Sequence, residues 1–185
     1  MKLFEIARIT ALSLLVGACA GATTTTNVYY DKSGLPDIFR YAAIDRDFLT
    51  VIHGNPSNGS KSAFDASVIA ATHGNARGLP TNFTTTPSAN AREGYRMVMV
   101  FSGDRYLGAE AVCGDIDTAS LAPITGKVEI QAAFCYREDM LSTVHVAYPQ
   151  DAEALQSAVT QVVLSLFPLT DPTIDRGNND LNTLL

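Results

Sequence analysis

Between residues 127 and 137 the chain alternates with a period of two. Val128, Ile130, Ala132, Phe134 and Tyr136 fall on one side, and Glu129, Gln131, Cys135 and Arg137 on the other. This pattern predicts a half-buried β-strand, because successive side chains leave a pleated strand on opposite faces. Residues 143–148 repeat it with Val144, Val146 and Tyr148 inward. Residues 46–53 and 95–101 are β-branched and aromatic runs that end near glycines, and both are expected to be strands. Residues 106–113 are expected to form a further strand, joined to 95–101 by a hairpin turn at Gly103 and Asp104. A short edge strand is expected around 82–86.

Two segments carry a helical period instead. In residues 62–72, Phe64, Val68, Ile69 and Ala71 share a face, and His73-Gly74 supplies a stop. In residues 151–167, Leu155, Ala158, Val159, Val162, Val163 and Leu166 make one stripe; acids at its start suit the helix dipole and Pro168 ends it. Hairpin-length links among the later strands imply a mainly antiparallel sheet of about five strands. Two helices with one apolar stripe each can cover only one face, so the fold class is α+β. The face carrying Glu129, Gln131 and Cys135 would then look at solvent, and His145 with it.

Ahead of this domain the pattern changes. Lys2 and Arg8 precede an apolar run over residues 9–18, too short to span a bilayer comfortably and typical of an export signal. The run ends Val16-Gly-Ala-Cys19, which resembles the lipobox of bacterial lipoproteins. The resemblance covers only the N-terminus. It implies that residues 1–18 are removed and that Cys19 becomes the lipidated first residue. Ala18-Cys19-Ala20 also satisfies an ordinary A-x-A secretory cleavage, and both readings export the domain. In well-studied lipoproteins an Asp after the cysteine causes inner-membrane retention; Ala20 stands there, so outer-membrane attachment facing the periplasm is expected. Residues 19–36, small and threonine-rich, read as a tether, residues 37–168 as the globular domain and 169–185 as a polar tail.

Export changes the meaning of the cysteines. Apart from Cys19 there are only Cys113 and Cys135, and such a pair in an oxidising compartment is expected to be a disulfide. Removing residues 1–18, with Lys2, Glu5 and Arg8, takes the formal charge of the 185-residue chain from −6 to −7. An acidic surface argues against nucleic acid, and no tryptophan supplies a stacking platform.

The stretch HGNPSNGSKS, from His53 to Ser62, imitates a phosphate-binding loop. Gly54 and Gly59 have the right spacing, but Ser60 intervenes before Lys61-Ser62 and changes which N–H groups would face a phosphate. Ser62 and Asp65 fit a capping box, and Asp65 would repel an incoming anion. No nucleotide is therefore expected; the stretch reads as a strand-to-helix connector, with Lys61 and Ser62 retained as a candidate small-anion site.

The histidines His53, His73 and His145 lack ligand-spaced partners, so no metal or other cofactor is expected. No G-x-S-x-G elbow occurs. Tyr29, Tyr30, Phe39 and Tyr41 are a candidate docking patch, although packing explains them more simply; Met97 and Met99 read as core. The function expected is that of a non-enzymatic, membrane-anchored envelope lipoprotein. It would contact membrane lipid through acylated Cys19 and bind a protein or another envelope component. The alternative is an envelope hydrolase whose residues converge only in three dimensions, with His53, Asp45 and Asp47 as nearest candidates.

Overall fold

A computed structural model describes residues 23–172 except 75, 77, 104–106, 119 and 120. The signal segment, Cys19, the expected turn at Asp104 and the tail beyond residue 172 lie outside the described residues. The described elements are β1 (Thr24–Tyr30), α1 (Leu35–Ala43), β2 (Arg46–His53), α2 (Lys61–Thr72), β3 (Thr81–Thr84), β4 (Tyr95–Ser102), β5 (Lys127–Tyr136), β6 (Asp139–Pro149) and α3 (Ala152–Leu166). A 3₁₀ turn, Ala109–Cys113, lies between β4 and β5.

The strands form one sheet in the order β1-β6-β5-β4-β2-β3. From β1 to β4 all neighbours are antiparallel, whereas β2 runs parallel to both β3 and β4. The sheet is thus mixed, with six strands and three helices among the described residues, where about five mainly antiparallel strands and two helices were expected. Parallel pairing follows from α2, which carries the chain from the end of β2 back to the start of β3, as a parallel crossover requires.

Two further departures have local causes. The expected tether contains β1, which pairs with β6 from Thr24 opposite Ala147 to Tyr30 opposite Ser142. Threonines that look like a linker are also good strand formers on a half-buried edge. Tyr30 secures the strand by donating from its hydroxyl to the Ser165 carbonyl at 3.0 Å. Of the strand expected over 106–113, residue 106 lies outside the described residues, 107–108 are coil and 109–113 form the 3₁₀ turn. Its alanines and glycines offer little cross-strand packing, and the chain there lies across the sheet face.

α2 and α3 cover one face, as expected, and the unexpected α1 joins them there. Phe39 of α1, Phe48 of β2, Phe134 of β5 and Phe167 after α3 form an aromatic centre, with Phe39 stacked on Phe167 at 4.0 Å between ring centroids. Met97 and Met99 are fully buried.

The opposite face is not open to water. A strap, residues 107–118 together with Leu121, packs Val112, Cys113, Ile116 and Leu121 against Val98, Val100, Ala133 and Cys135. Cys113 and Cys135 are bonded to each other and wholly buried, so the disulfide exists but lies beneath a covered face. Glu129 and Gln131 are buried as well. The alternation in β5 was read correctly, but the polar phase looks at the strap, not at solvent. Among the described residues no helix is long and apolar enough to cross a membrane.

Candidate functional site

Strand direction brings one set of chain turns to one end of the sheet. The ends of β2, β4 and β6 and the starts of β1 and β5 lie there together, because β2 and β4 are parallel and the remaining neighbours alternate. The β2–α2 loop, the first turn of α2 and the first turn of α3 surround a groove of about 740 Å³ at this end. That volume falls in the range of small-molecule sites, about 300–1,000 Å³. Phe64, Ile124, Tyr148 and Leu155 supply its apolar surface, and Ser57, Asn58, Ser67 and Gln150 its uncharged polar surface. Asp151 is the charged side chain in the lining.

The loop over the groove is the connector His53 to Ser62. Gly54 has φ 80°, and a Cβ there would come within 2.1 Å of the Phe101 carbonyl oxygen, so the chain can pass β4 only at a glycine. Asn55 closes the loop. Its Oδ1 accepts from the Ser57 N–H at 3.0 Å, and its Nδ2 donates to the Gly59 carbonyl at 2.9 Å. The Gly59 N–H donates to Ser57 Oγ at 3.2 Å. Gln150 Nε2 donates to the Pro56 carbonyl and holds the loop to the end of β6. The N–H groups of Ser57 and Gly59 are therefore occupied by the loop's own side chains, whereas a phosphate cradle needs such groups free.

Ser60, not Ser62, caps α2: its Oγ accepts from the Ala63 N–H at 3.2 Å. The expected capping box fails because the helix begins before Ser62, whose hydroxyl lies 3.1 Å from that of Ser60. Lys61 forms an ion pair with Asp65 and donates to the Ile52 carbonyl at 3.0 Å. A small anion at Lys61 and Ser62 would have to compete with a carboxylate one helical turn away. At α3 the Asp151 carboxylate accepts from the Ala154 N–H at 2.7 Å. Both helix starts at the groove are thus capped from within the chain. Tyr148 titrates far above the ordinary phenol range because it is buried and lies near the charge of Asp151.

The residues named for a hydrolase do not meet. His53 ends β2, whereas Asp47 sits near its start, roughly 20 Å away at the usual rise per strand residue. Asp47 organises the loop before β4, accepting from the Ser88 N–H at 2.8 Å and from Asn82 Nδ2 at 2.7 Å. These bonds hold its carboxyl below the usual range. Asp45 has φ 54° and donates its N–H to the Pro80 carbonyl at 2.8 Å, a turn role. His53 is half-buried, and burial followed by the charge of Lys61 lowers its pKa. His73 is the exposed C-cap of α2.

Sequence reasoning missed a polar pair on the strap side of the sheet, a buried Glu129 beside a half-buried His145. Glu129 Oε2 lies 2.6 Å from His145 Nε2, and Oε1 lies 2.6 Å from Lys127 Nζ. The Glu129 carboxyl thus sits between Lys127 of its own strand and His145 of β6. Gln131 Oε1 accepts from the Leu107 N–H at 2.8 Å and ties down the strap. Ser102, directly opposite Glu129, is buried, and its hydroxyl has no hydrogen-bond partner among the described residues. Ser102 and His145 do not form a nucleophile–base pair: Nε2 is directed at Glu129, and His145 stands opposite Gln131, two residues along β5 from the partner of Ser102. Both Glu129 and His145 occupy the polar phase of their strands, so correct pairing of 127–137 with 143–148 was the signal that could have joined them.

The tyrosine cluster is dispersed. Phe39 is core and Tyr30 packs on α3, whereas Tyr41 is exposed and stacks beneath Arg92 at 4.5 Å. Among the described residues no group of three or more potential metal ligands occurs. The fold and site define a mixed α/β domain, its three helices on one face of a mixed sheet, with a groove at one end of that sheet. Comparison with known protein families and with curated proteins returned no match to this chain.

Proposed function

We propose that this protein is an envelope lipoprotein, anchored through acylated Cys19, whose domain holds an envelope component or partner protein in the groove between α2 and α3. The observation that carries the binding part is the groove itself: an apolar surface framed by Ser, Asn and Gln side chains, at a place that three separate chain turns build together. Such a surface, with several polar groups beside apolar ones, suits recognition of a ligand that carries both apolar and polar parts. The anchor part rests on Val16-Gly-Ala-Cys19.

The hydrolase alternative has less support, because Asp45 and Asp47 stand at the other end of β2 from His53. The test uses the full chain in its native envelope, with a photo-crosslinking residue at Ser67, exposed on the groove wall, or at Asn90, exposed at the opposite end of the sheet. The expected result is a defined adduct from Ser67 and none from Asn90. Equal labelling from both positions would remove the groove as the binding site.

A further inference from the structure

We propose that the groove takes an acyl chain of a zwitterionic phospholipid from the membrane to which the protein is attached. The inference rests on the Cys19 anchor proposed above and adds the ligand class and its source.

The argument begins with the register of β1. Thr24 pairs with Ala147, the residue before Tyr148, and Tyr148, Gln150 and Asp151 line the groove. Cys19 precedes Thr24 by five residues. Whatever path they take, five residues span at most about 17 Å. β1 lies inside the segment expected to hold the domain away from the membrane, so only residues 19–23 are left between the anchor and the sheet. An acyl anchor at Cys19 would keep the start of β1 within that distance of the bilayer surface, and the groove end of the sheet with it. The far end, with Asp47 and Asn90, would point away.

The lining then selects the ligand. Ile124 and Leu155, both half-buried, and the accessible edges of the otherwise buried Phe64 and Tyr148 offer apolar contact, which an acyl chain leaving water would favour at roughly 25 cal/mol for each Å² covered. Among the described residues no lysine or arginine lines the groove, Lys61 is already paired with Asp65, and Asp151 adds negative charge. An anionic headgroup at the rim would therefore be repelled. A headgroup carrying an amine beside its phosphate meets Asp151, Asn58 and Gln150 without an unbalanced negative charge.

The test places the full chain, purified from membranes, in vesicles of phosphatidylethanolamine and phosphatidylglycerol. A small share of the phosphatidylethanolamine carries a diazirine in one acyl chain. After illumination, mass spectrometry maps the adducts and measures the Cys19 peptide. The expected result is an acylated Cys19 and adducts within residues 63–67 and 148–155, lost in Ala63→Trp, which fills the groove from an exposed position. Leu155→Asp, at a half-buried position, should abolish the same adducts while the protein still unfolds cooperatively. Acylated Cys19 with no adducts at these residues, or with adducts undiminished in both variants, would overturn the lipid ligand and leave the anchor standing. An unmodified Cys19 would overturn the anchor and this inference together.

Discussion

Arg96 and Cys135 face each other across β4 and β5, and the Arg96 guanidinium reaches over to the Cys113 carbonyl at 2.6 Å while the Cys135 sulfur is bonded to that of Cys113. The strap is therefore pinned to the sheet twice at one place, once by charge-assisted hydrogen bonding and once covalently. In the chain-entropy account, the 22-residue separation is worth about 3 kcal/mol. The double variant Cys113→Ser with Cys135→Ser should melt roughly 6–12 °C lower, measured by calorimetry on the folded domain. An unchanged melting temperature would mean that Arg96 and the apolar strap contacts suffice alone.

The connector's two glycines should respond differently. Gly54→Ala places a methyl group against the Phe101 carbonyl at a positive φ, and a loss of roughly 3 kcal/mol is expected in denaturant unfolding. At Gly59 the nearest atom to an added Cβ is Ser57 Oγ at 3.5 Å, an ordinary contact, so Gly59→Ala should stay within about 0.5 kcal/mol. Equal effects would show that the close passage beside β4 does not govern this turn.

His53 should confer a particular pH dependence. Its folded pKa lies below the ordinary 6.5 through burial and the charge of Lys61, so the unfolded chain binds the proton more readily. Stability is then unaffected well above pH 6.5 and falls as pH drops from there toward the folded pKa. Unfolding of wild type and His53→Gln, compared from neutral to mildly acidic pH, should show this slope only in the wild type. A slope that survives the substitution would assign it to other groups.

Under the strap, Glu129→Ala removes the carboxyl that lies between His145 and Lys127, at a site where Glu129 is 4% exposed. A loss of about 1–3 kcal/mol is expected, since one polar partner is deleted and the other stays half-buried. Double-mutant cycles with His145→Phe should show positive coupling; simple additivity would mean the pair is not formed in solution.

The strands and helices readable from sequence are those whose signal is local: the β-branched and aromatic composition of β2 and β4, and the periodicity of β5, β6, α2 and α3. What escaped was decided by distant partners. Thr24–Tyr30 becomes a strand because β6 offers an edge, and a threonine run alone does not distinguish a tether from a strand. Residues 109–113 lie flat over the sheet because Cys113 and Gln131 hold them there, which no spacing rule encodes. The polar phase of β5 was visible, yet its burial was not, since the covering strap comes from another part of the chain. For the site, the connector was singled out early and does border the groove. The other walls, Tyr148 and Leu155, read only as core-facing positions until both helix starts were placed beside it.

The measurement closest to the central claim, a groove held at the membrane, is the position of the groove end relative to the bilayer. A fluorophore is attached through Asn58→Cys at the groove or through Asn90→Cys at the opposite end, in the acylated full chain on vesicles whose headgroups carry a quencher. With β2 spanning roughly 20 Å or more between the two ends, strong quenching is expected at position 58 and weak quenching at position 90. Equal quenching, or stronger quenching at position 90, would contradict the account.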